Sequence, residues 1–146
     1  MGKKTKAAVN PATGGVVASK YQIACGINNT AYITHHTAFE FYGLANQVYY
    51  EVYVGSVPRF NDFEFGGIIY KRIAPKIKQG IVESRNTQGI RVIDLERTVI
   101  DSIKDFEKVA GFEELINCLS LVHYLDESKL KKYLDANGIQ GLYQRL

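Results

Sequence analysis

Cysteine is scarce in this chain of 146 residues, and the two cysteines that are present, Cys25 and Cys118, stand far apart. Neither belongs to a C-x-x-C pair, so the sequence excludes a disulfide framework. We expect both thiols to be reduced and partly buried.

Long apolar runs are also missing. No segment approaches the roughly 20 consecutive apolar residues of a membrane-spanning helix. The lysine-rich start lacks the apolar stretch and the small-residue cleavage site of a signal peptide. The sequence therefore predicts a soluble, cytoplasmic protein with no membrane partner.

The strongest nucleotide-binding and hydrolase motifs are absent as well. The chain contains no G-x-x-x-x-G-K-[ST] loop, no G-x-G-x-x-G turn and no G-x-S-x-G elbow. We therefore predict a protein that is not an enzyme and that holds no cofactor.

The composition is that of an ordinary globular domain, with 46% hydrophobic and 23% charged residues. A chain of this length buries about two-thirds of its unfolded surface, which favours one compact domain. The net charge of +3 is unevenly spread: residues 1–93 carry 11 basic and 5 acidic groups, whereas residues 94–146 carry 7 and 10. This asymmetry permits a surface that faces a polyanion without requiring one.

Residue patterns divide the chain into a short N-terminal segment and one domain. Residues 1–13 are expected to be disordered or linker, and residues 14–146 to form a single domain. The apolar face continues to the last residue, which suggests that this domain is a fragment of a longer natural chain. Helical patterns cover residues 18–25, 34–42, 94–105, 111–124 and 126–136. Extended patterns cover residues 31–33, 47–55, 63–73, 77–83 and 89–93.

These elements predict an α+β domain in which a central, mostly antiparallel sheet lies between short N-terminal helices and an all-helical C-terminal portion. Thr34 is expected to cap the second helix, and Gly43 to end it in the left-handed conformation. Gly66-Gly67 interrupts an extended run and predicts a bulge or a close backbone approach.

The segment Asp94-Leu95-Glu96-Arg97-Thr98-Val99-Ile100-Asp101 combines a helix start with a charged cluster. Asp94 follows a β-branched run and can accept the backbone N–H of Glu96 or Arg97 as an N-cap. Leu95, Val99 and Ile103 recur every four residues on one face, and the four-residue spacing of Arg97 and Asp101 allows them to pair. A structural role for this helix is the simpler interpretation, because structural ion pairs outnumber active sites.

His35-His36 is the most obvious metal candidate. Adjacent residues of a helix point about 100° apart, so both rings cannot easily reach one ion. A complete site would need a distant ligand such as Cys25, Cys118 or His123. We favour polar contacts at the helix start and predict no metal.

Two further groups of residues leave functional alternatives open. Carboxylates at Asp62, Glu64 and Glu83 are compatible with a degenerate metal-dependent nuclease, although solvated strand edges explain them better. Basic residues interleaved with aromatic residues are compatible with a nucleic-acid-binding module, in which bases stack while cations meet phosphates. The residues of this candidate binding surface are Arg59, Phe60, Tyr70, Lys71, Arg72, Lys76 and Lys78.

Two stretches together resemble the C-terminal domain of the AbiEi-like antitoxins, the regulators of abortive-infection (type IV) toxin–antitoxin systems. The stretch from Ala31 to Leu44, with Thr34, His35 and Gly43, is similar to the family pattern "aYIS-H-x-S-AL-xx-HGL". Here threonine stands at positions 34 and 37 where the family usually has serine, and tyrosine at position 42 where histidine is common. The stretch from Asp94 to Asp101 resembles the family pattern "D-x-ERT" followed by two hydrophobic residues and an aspartate. The likeness spans roughly residues 14–136 and rests on the order and spacing of the motifs.

The resemblance implies a non-enzymatic regulator and antitoxin in phage defence, whose functional partner is a nucleotidyltransferase-like toxin. Family members usually carry an N-terminal winged helix that binds operator DNA, and this chain has no room for one before the matching region. The family is not thought to act through a tight complex with the toxin. The matching residues Thr34, His35, Gly43, Asp94, Glu96, Arg97 and Asp101 are expected to act mainly as scaffold.

Overall fold

The computed structural model describes residues 8–9, 16–17, 19–45, 47–85, 87, 89–109 and 111–137. The helices are α1 Lys20–Cys25, α2 His35–Phe41, α3 Leu95–Lys104, α4 Phe112–Ser120 and α5 Glu127–Asn137, with a 3₁₀ turn at Phe106–Val109. The strands are β1 Ala8–Val9, β2 Val16–Val17, β3 Tyr32–Ile33, β4 Glu51–Gly55, β5 Phe63–Phe65, β6 Ile68–Ile73, β7 Ile81–Glu83 and β8 Arg91–Ile93. No helix in the described ranges has the length and apolar character needed to cross a membrane.

The α+β class is confirmed, but the prediction of a mostly antiparallel sheet is wrong. Six strands lie in the order β5-β6-β4-β3-β8-β7. β5–β6, β3–β4 and β7–β8 are antiparallel, whereas β4–β6 and β3–β8 are parallel. The sheet is therefore mixed. Alternating hydrophobicity identifies strands, but it does not determine which strands become neighbours.

Local sequence explains several element boundaries. Ser19 caps α1 in a reciprocal capping box with Gln22. Gly43 adopts φ +74° just after α2, as expected. Gly66 and Gly67, at φ +61° and +81°, form the two-residue turn between β5 and β6, so the predicted bulge is a hairpin turn.

Some predicted elements are shorter in the structure. β4 begins at Glu51 rather than at position 47, and Val48 and Tyr50 before it are exposed. The helix predicted over 111–124 ends at Ser120. β1 lies in the predicted linker and pairs antiparallel with β2, which lies just after it, while residues 1–7 and 10–15 lie outside the described residues.

Three buried clusters hold the layers together. The largest joins α1 to β3, β4, β6 and β8. A second joins α2, α3 and α4, and it includes Leu95, Val99 and Ile103, which confirms the predicted apolar face of α3. A third packs Ile100 of α3 against Tyr133 and Leu134 of α5. Helix α3 thus contributes apolar side chains to two of the clusters.

Candidate functional site

The start of α3 is held by a network around Asp94. Its Oδ1 accepts the backbone N–H of Arg97 at 2.9 Å, which confirms the predicted N-cap. Its other carboxylate oxygen accepts the hydroxyl of Tyr133 and so ties α3 to α5. The neighbouring Glu96 accepts the backbone N–H of Asp126 at 2.9 Å. Both acidic residues therefore connect α3 with the chain segment around α5.

Arg97 is almost fully buried and makes three separate hydrogen bonds. Its Nε donates to Asp101 Oδ2 at 3.1 Å, which confirms the predicted ion pair. The two terminal nitrogens donate to the carbonyl of Gln79 at 2.9 Å and to the hydroxyl of Tyr32 at 3.1 Å. The guanidinium also lies 5.3 Å from the centroid of the Tyr32 ring, a cation–π contact. The sequence could predict the partner four residues away but not Tyr32 or Gln79.

His35 begins α2 in a strained conformation. Its φ of +55° makes it the only non-glycine residue with positive φ in the described part of the chain. Its Nε2 lies 3.1 Å from Asp105 Oδ2, and its Nδ1 lies 3.1 Å from the Thr34 hydroxyl. A carboxylate can only accept, so Nε2 carries the proton shared with Asp105. Backbone strain of this kind persists only where the surroundings enforce it.

Thr34 occupies the N-cap position of α2 without capping it through its side chain. Its hydroxyl is directed to the ring of His35 instead, so the predicted side-chain cap is wrong.

The pKa of Asp105 is shifted by its surroundings, which include His35. Burial acts to raise the pKa of Asp105, but the hydrogen bond and charge of His35, together with Lys108 and Lys104, outweigh burial and lower that pKa.

Both motif segments line one cleft of about 360 Å³. Thr34 and His35 come from the first segment, and Arg97 and Asp101 from the second. The remaining walls come from the segment after β6 and from the end of α3. Five cationic side chains line this cleft, namely Arg72, Lys76, Arg97, Lys104 and Lys108. The carboxylates among the lining residues are Asp101 and Asp105, so cations are in excess.

The pKa of Lys104 is shifted by its burial and by the charges around the cleft. Burial lowers its pKa, and the nearby Lys76 lowers it further through its charge and a side-chain hydrogen bond, while the charges of Asp105 and Asp101 act in the opposite direction. Its ammonium also donates to Asn137 Oδ1 at 3.3 Å. A lysine beside a second lysine is held in a locally positive environment.

The predicted binding surface is divided by the fold. Tyr70 is completely buried and stacks on Phe63 with ring centroids 4.9 Å apart, so its inclusion in that surface is wrong. Tyr70 lies on β6 with its side chain in the main core, where no base could reach it. Phe60 packs against the same core and is only partly exposed.

The cationic residues of the predicted binding surface lie in different surroundings. Lys71 forms an ion pair with Glu51 at 3.1 Å. Arg72 donates to the backbone carbonyls of Ser56 and Val57, each at 3.0 Å, and its side chain also borders the cleft. Of the remaining cations, only Lys76 lines the cleft, whereas Arg59 and Lys78 are exposed outside it.

The carboxylates suggested for a nuclease do not converge. Glu64 lies on β5 and Glu83 on β7, which are the two opposite edges of the six-stranded sheet. Five interstrand spacings separate these edges by roughly 24 Å. Asp62 accepts the backbone N–H of Arg72 at 2.9 Å and has a structural role there. A shared metal ion cannot bridge these three carboxylates.

His36 instead makes a buried cluster with Glu114 and Cys118, whose ligand atoms all lie within 4.8 Å of one another. His36 Nε2 donates to Glu114 Oε2 at 2.8 Å, and the same oxygen accepts from the backbone N–H of Gln47 at 3.1 Å and from the Cys118 thiol at 3.6 Å. This carboxylate oxygen is thus already occupied by three donors. His35 and His36 both make polar contacts, as predicted, but the contact across 78 residues had no local sequence signal.

Cys25 and His123 lie apart from that cluster. Cys25 is buried and accepts the backbone N–H of Arg91 at 3.3 Å, and burial raises the pKa of its thiol. Both cysteines are thiols outside any disulfide, and His123 is exposed. The thiols are thus more deeply buried than predicted.

No protein-family model and no curated protein matches this chain. The case for a function therefore depends on the residues and their geometry.

Proposed function

We propose that this chain is an antitoxin-type regulatory domain that counteracts a nucleotidyltransferase-like toxin and catalyses no reaction itself. The proposal starts from the resemblance of two sequence segments to the AbiEi-like antitoxins. It further assigns the action of the domain to the cleft between α2 and α3, because that cleft is where the two segments come together.

The observation that carries the proposal is the convergence of the two motifs on one cleft. Thr34 and Arg97 are more than sixty residues apart in the sequence, yet both line the same cavity. If each motif only stabilised its own helix, the two motifs would not have to lie close together in the fold. Two motifs that together shape one concave, charged surface are better explained by a shared function, since ligand sites are usually concave and hold a few convergent polar groups.

The nuclease alternative is disfavoured by the separation of Glu64 and Glu83 on opposite sheet edges. Two-metal and one-metal nuclease sites need carboxylates within reach of one ion. A Mg²⁺-dependent cleavage activity that is lost in Glu83→Ala would nevertheless restore that alternative.

The direct test is growth rescue. The chain is co-expressed with the nucleotidyltransferase-like toxin encoded beside it, and colony formation is compared with that of cells expressing the toxin alone. We expect the chain to restore growth. The proposal would be contradicted if the chain gave no rescue although it is present in the cells at levels comparable to the toxin. The purified chain must also be shown to be stably folded.

A further inference from the structure

The cleft between the two motif segments has more positive charge than its own carboxylates can neutralise. Asp101 is engaged by Arg97 at 3.1 Å, and Asp105 by His35 at 3.1 Å. Within the described part of the chain, no carboxylate forms an ion pair with Lys76 or Lys104. Both acidic groups of the cleft therefore already have partners other than Lys76 and Lys104.

Lys76 and Lys104 both line this cleft. Burial lowers the pKa of Lys104, and repulsion from the nearby charge of Lys76 lowers it further. Keeping two ammonium groups together costs free energy, and the cost falls when an anion lies between them. Phosphate is the common biological anion that several lysines and arginines bind together.

The size and the walls of the cleft limit what the anion can be attached to. A volume of about 360 Å³ is at the small end of the roughly 300–1,000 Å³ typical of small-molecule sites. Beside the cations, the walls include the apolar side chains of Ile73, Pro75 and Ile77 and the ring of Tyr32. This combination suits a compact ligand with a charged end and a flat, weakly polar end.

We infer that the cleft binds the phosphate groups of a mononucleotide, with Lys76 and Lys104 contacting the phosphates. Arg72 also lines the cleft and adds a third positive charge. Arg97, Asp101, His35 and Asp105 belong to the same lining. The inference goes beyond the proposed function, because a nucleotide site and growth rescue can each be present without the other.

Isothermal titration calorimetry on the purified full chain tests this at constant ionic strength. The probes are inorganic phosphate, inorganic pyrophosphate, adenosine triphosphate and adenosine. We expect saturable binding of adenosine triphosphate, weaker binding of the inorganic anions and none of adenosine. The expected stoichiometry is one per chain.

Three variants locate the binding. Lys76→Ala and Lys104→Ala are each expected to weaken adenosine triphosphate binding about tenfold, which is the effect of losing one good charge-assisted contact. Lys78→Ala is the matched control, because it removes the same charge two residues from Lys76 at an exposed position outside the cleft. We expect it to change binding less than about twofold.

Circular dichroism and thermal unfolding verify that each variant is folded. If Lys104→Ala does not fold, the exposed Lys76 still provides the test. Equal weakening of binding in Lys76→Ala and Lys78→Ala would show unspecific attraction and overturn the inference, as would a lack of binding by every phosphate probe.

A single-stranded oligonucleotide serves as the last probe. Binding of the oligonucleotide without binding of the mononucleotide would assign the charge to a nucleic-acid surface and would also overturn it.

Discussion

Arg97 links three separate parts of the molecule. Through Asp101, Tyr32 and the carbonyl of Gln79 it joins α3 to β3 and to the segment before β7. Each of these bonds is buried or partly buried. Its removal leaves Asp101 as a carboxylate with little exposure that has lost its ion-pair partner.

Arg97→Ala is therefore expected to lower the free energy of unfolding by about 3 kcal/mol, since breaking one partner of a buried ion pair leaves the other uncompensated. For a chain of this size the melting temperature falls by roughly 10 °C. Differential scanning calorimetry measures the effect, and Arg85→Ala, at an exposed position, is the control with little change. An Arg97→Ala protein that is fully stable but inactive as an antitoxin would instead assign Arg97 to function.

The pair of His35 and Asp105 predicts a dependence on pH. The pKa of Asp105 is lowered in the folded state, so its charged form contributes stability above the ordinary aspartate pKa of about 3.9. This contribution is lost as the pH falls through the lower folded-state pKa. Asp105→Asn is expected to cost about 1–2 kcal/mol at pH 7, and the difference from the natural chain should shrink below about pH 4.

Urea unfolding at pH 7, 5, 4 and 3 measures this difference. Asp135→Asn, on the exposed side of α5, serves as the control. A cost for Asp105→Asn that is constant across this range would mean that the bond to His35 does not depend on the charge of the carboxylate.

At the scale of elements, the junction of β3 and β4 depends on a glycine. Gly55 lies opposite Tyr32 in the antiparallel ladder, and a Cβ added at Gly55 would lie 2.2 Å from the Tyr32 ring. The absence of a side chain lets the ring cover the strand and place its hydroxyl against Arg97. The close approach of Gly55 and Tyr32 thus connects the sheet with Arg97, which lines the cleft.

Gly55→Ala is expected to destabilise the fold by about 1–3 kcal/mol through overpacking. Tyr32→Leu removes the ring that causes the clash, so the double variant should lose less stability than the sum of the two single variants. Chemical unfolding of the four proteins measures this coupling. Simple additivity would show that the ring and the glycine do not interact.

The helices were easier to predict from sequence than the sheet, for a physical reason. A helix is specified locally: Asp94 caps α3, Leu95 and Val99 recur on one face, and the structure confirms both. The neighbours of a strand are specified by distant residues. The hairpin β5–β6 places β6 beside β4 in parallel, and no local pattern in either strand encodes that pairing.

At the scale of the whole molecule, the division of charge along the chain does not persist in space. The basic first part contributes Arg72 and Lys76 to the cleft, while the acidic second part contributes Arg97, Lys104 and Lys108. The excess of cations in the cleft therefore comes from both parts of the chain, including the part that is acidic as a whole. Sequence reasoning found the two motifs and the cations Arg72 and Lys76 separately. The convergence of these residues on one cleft depends on tertiary packing, and so does the contribution of Asp105 and Lys104 to its lining.

Growth rescue with cleft variants tests most directly whether the cleft between the two motif segments is where the domain acts. The chain, a Lys76→Ala/Lys104→Ala variant and a Lys78→Ala/Lys131→Ala control are each co-expressed with the toxin, and colony counts are compared at equal levels of folded protein. We predict rescue by the natural chain and by the control, and at least a tenfold loss of colonies with the cleft variant. Full rescue by a folded cleft variant would contradict the assignment of function to this cleft.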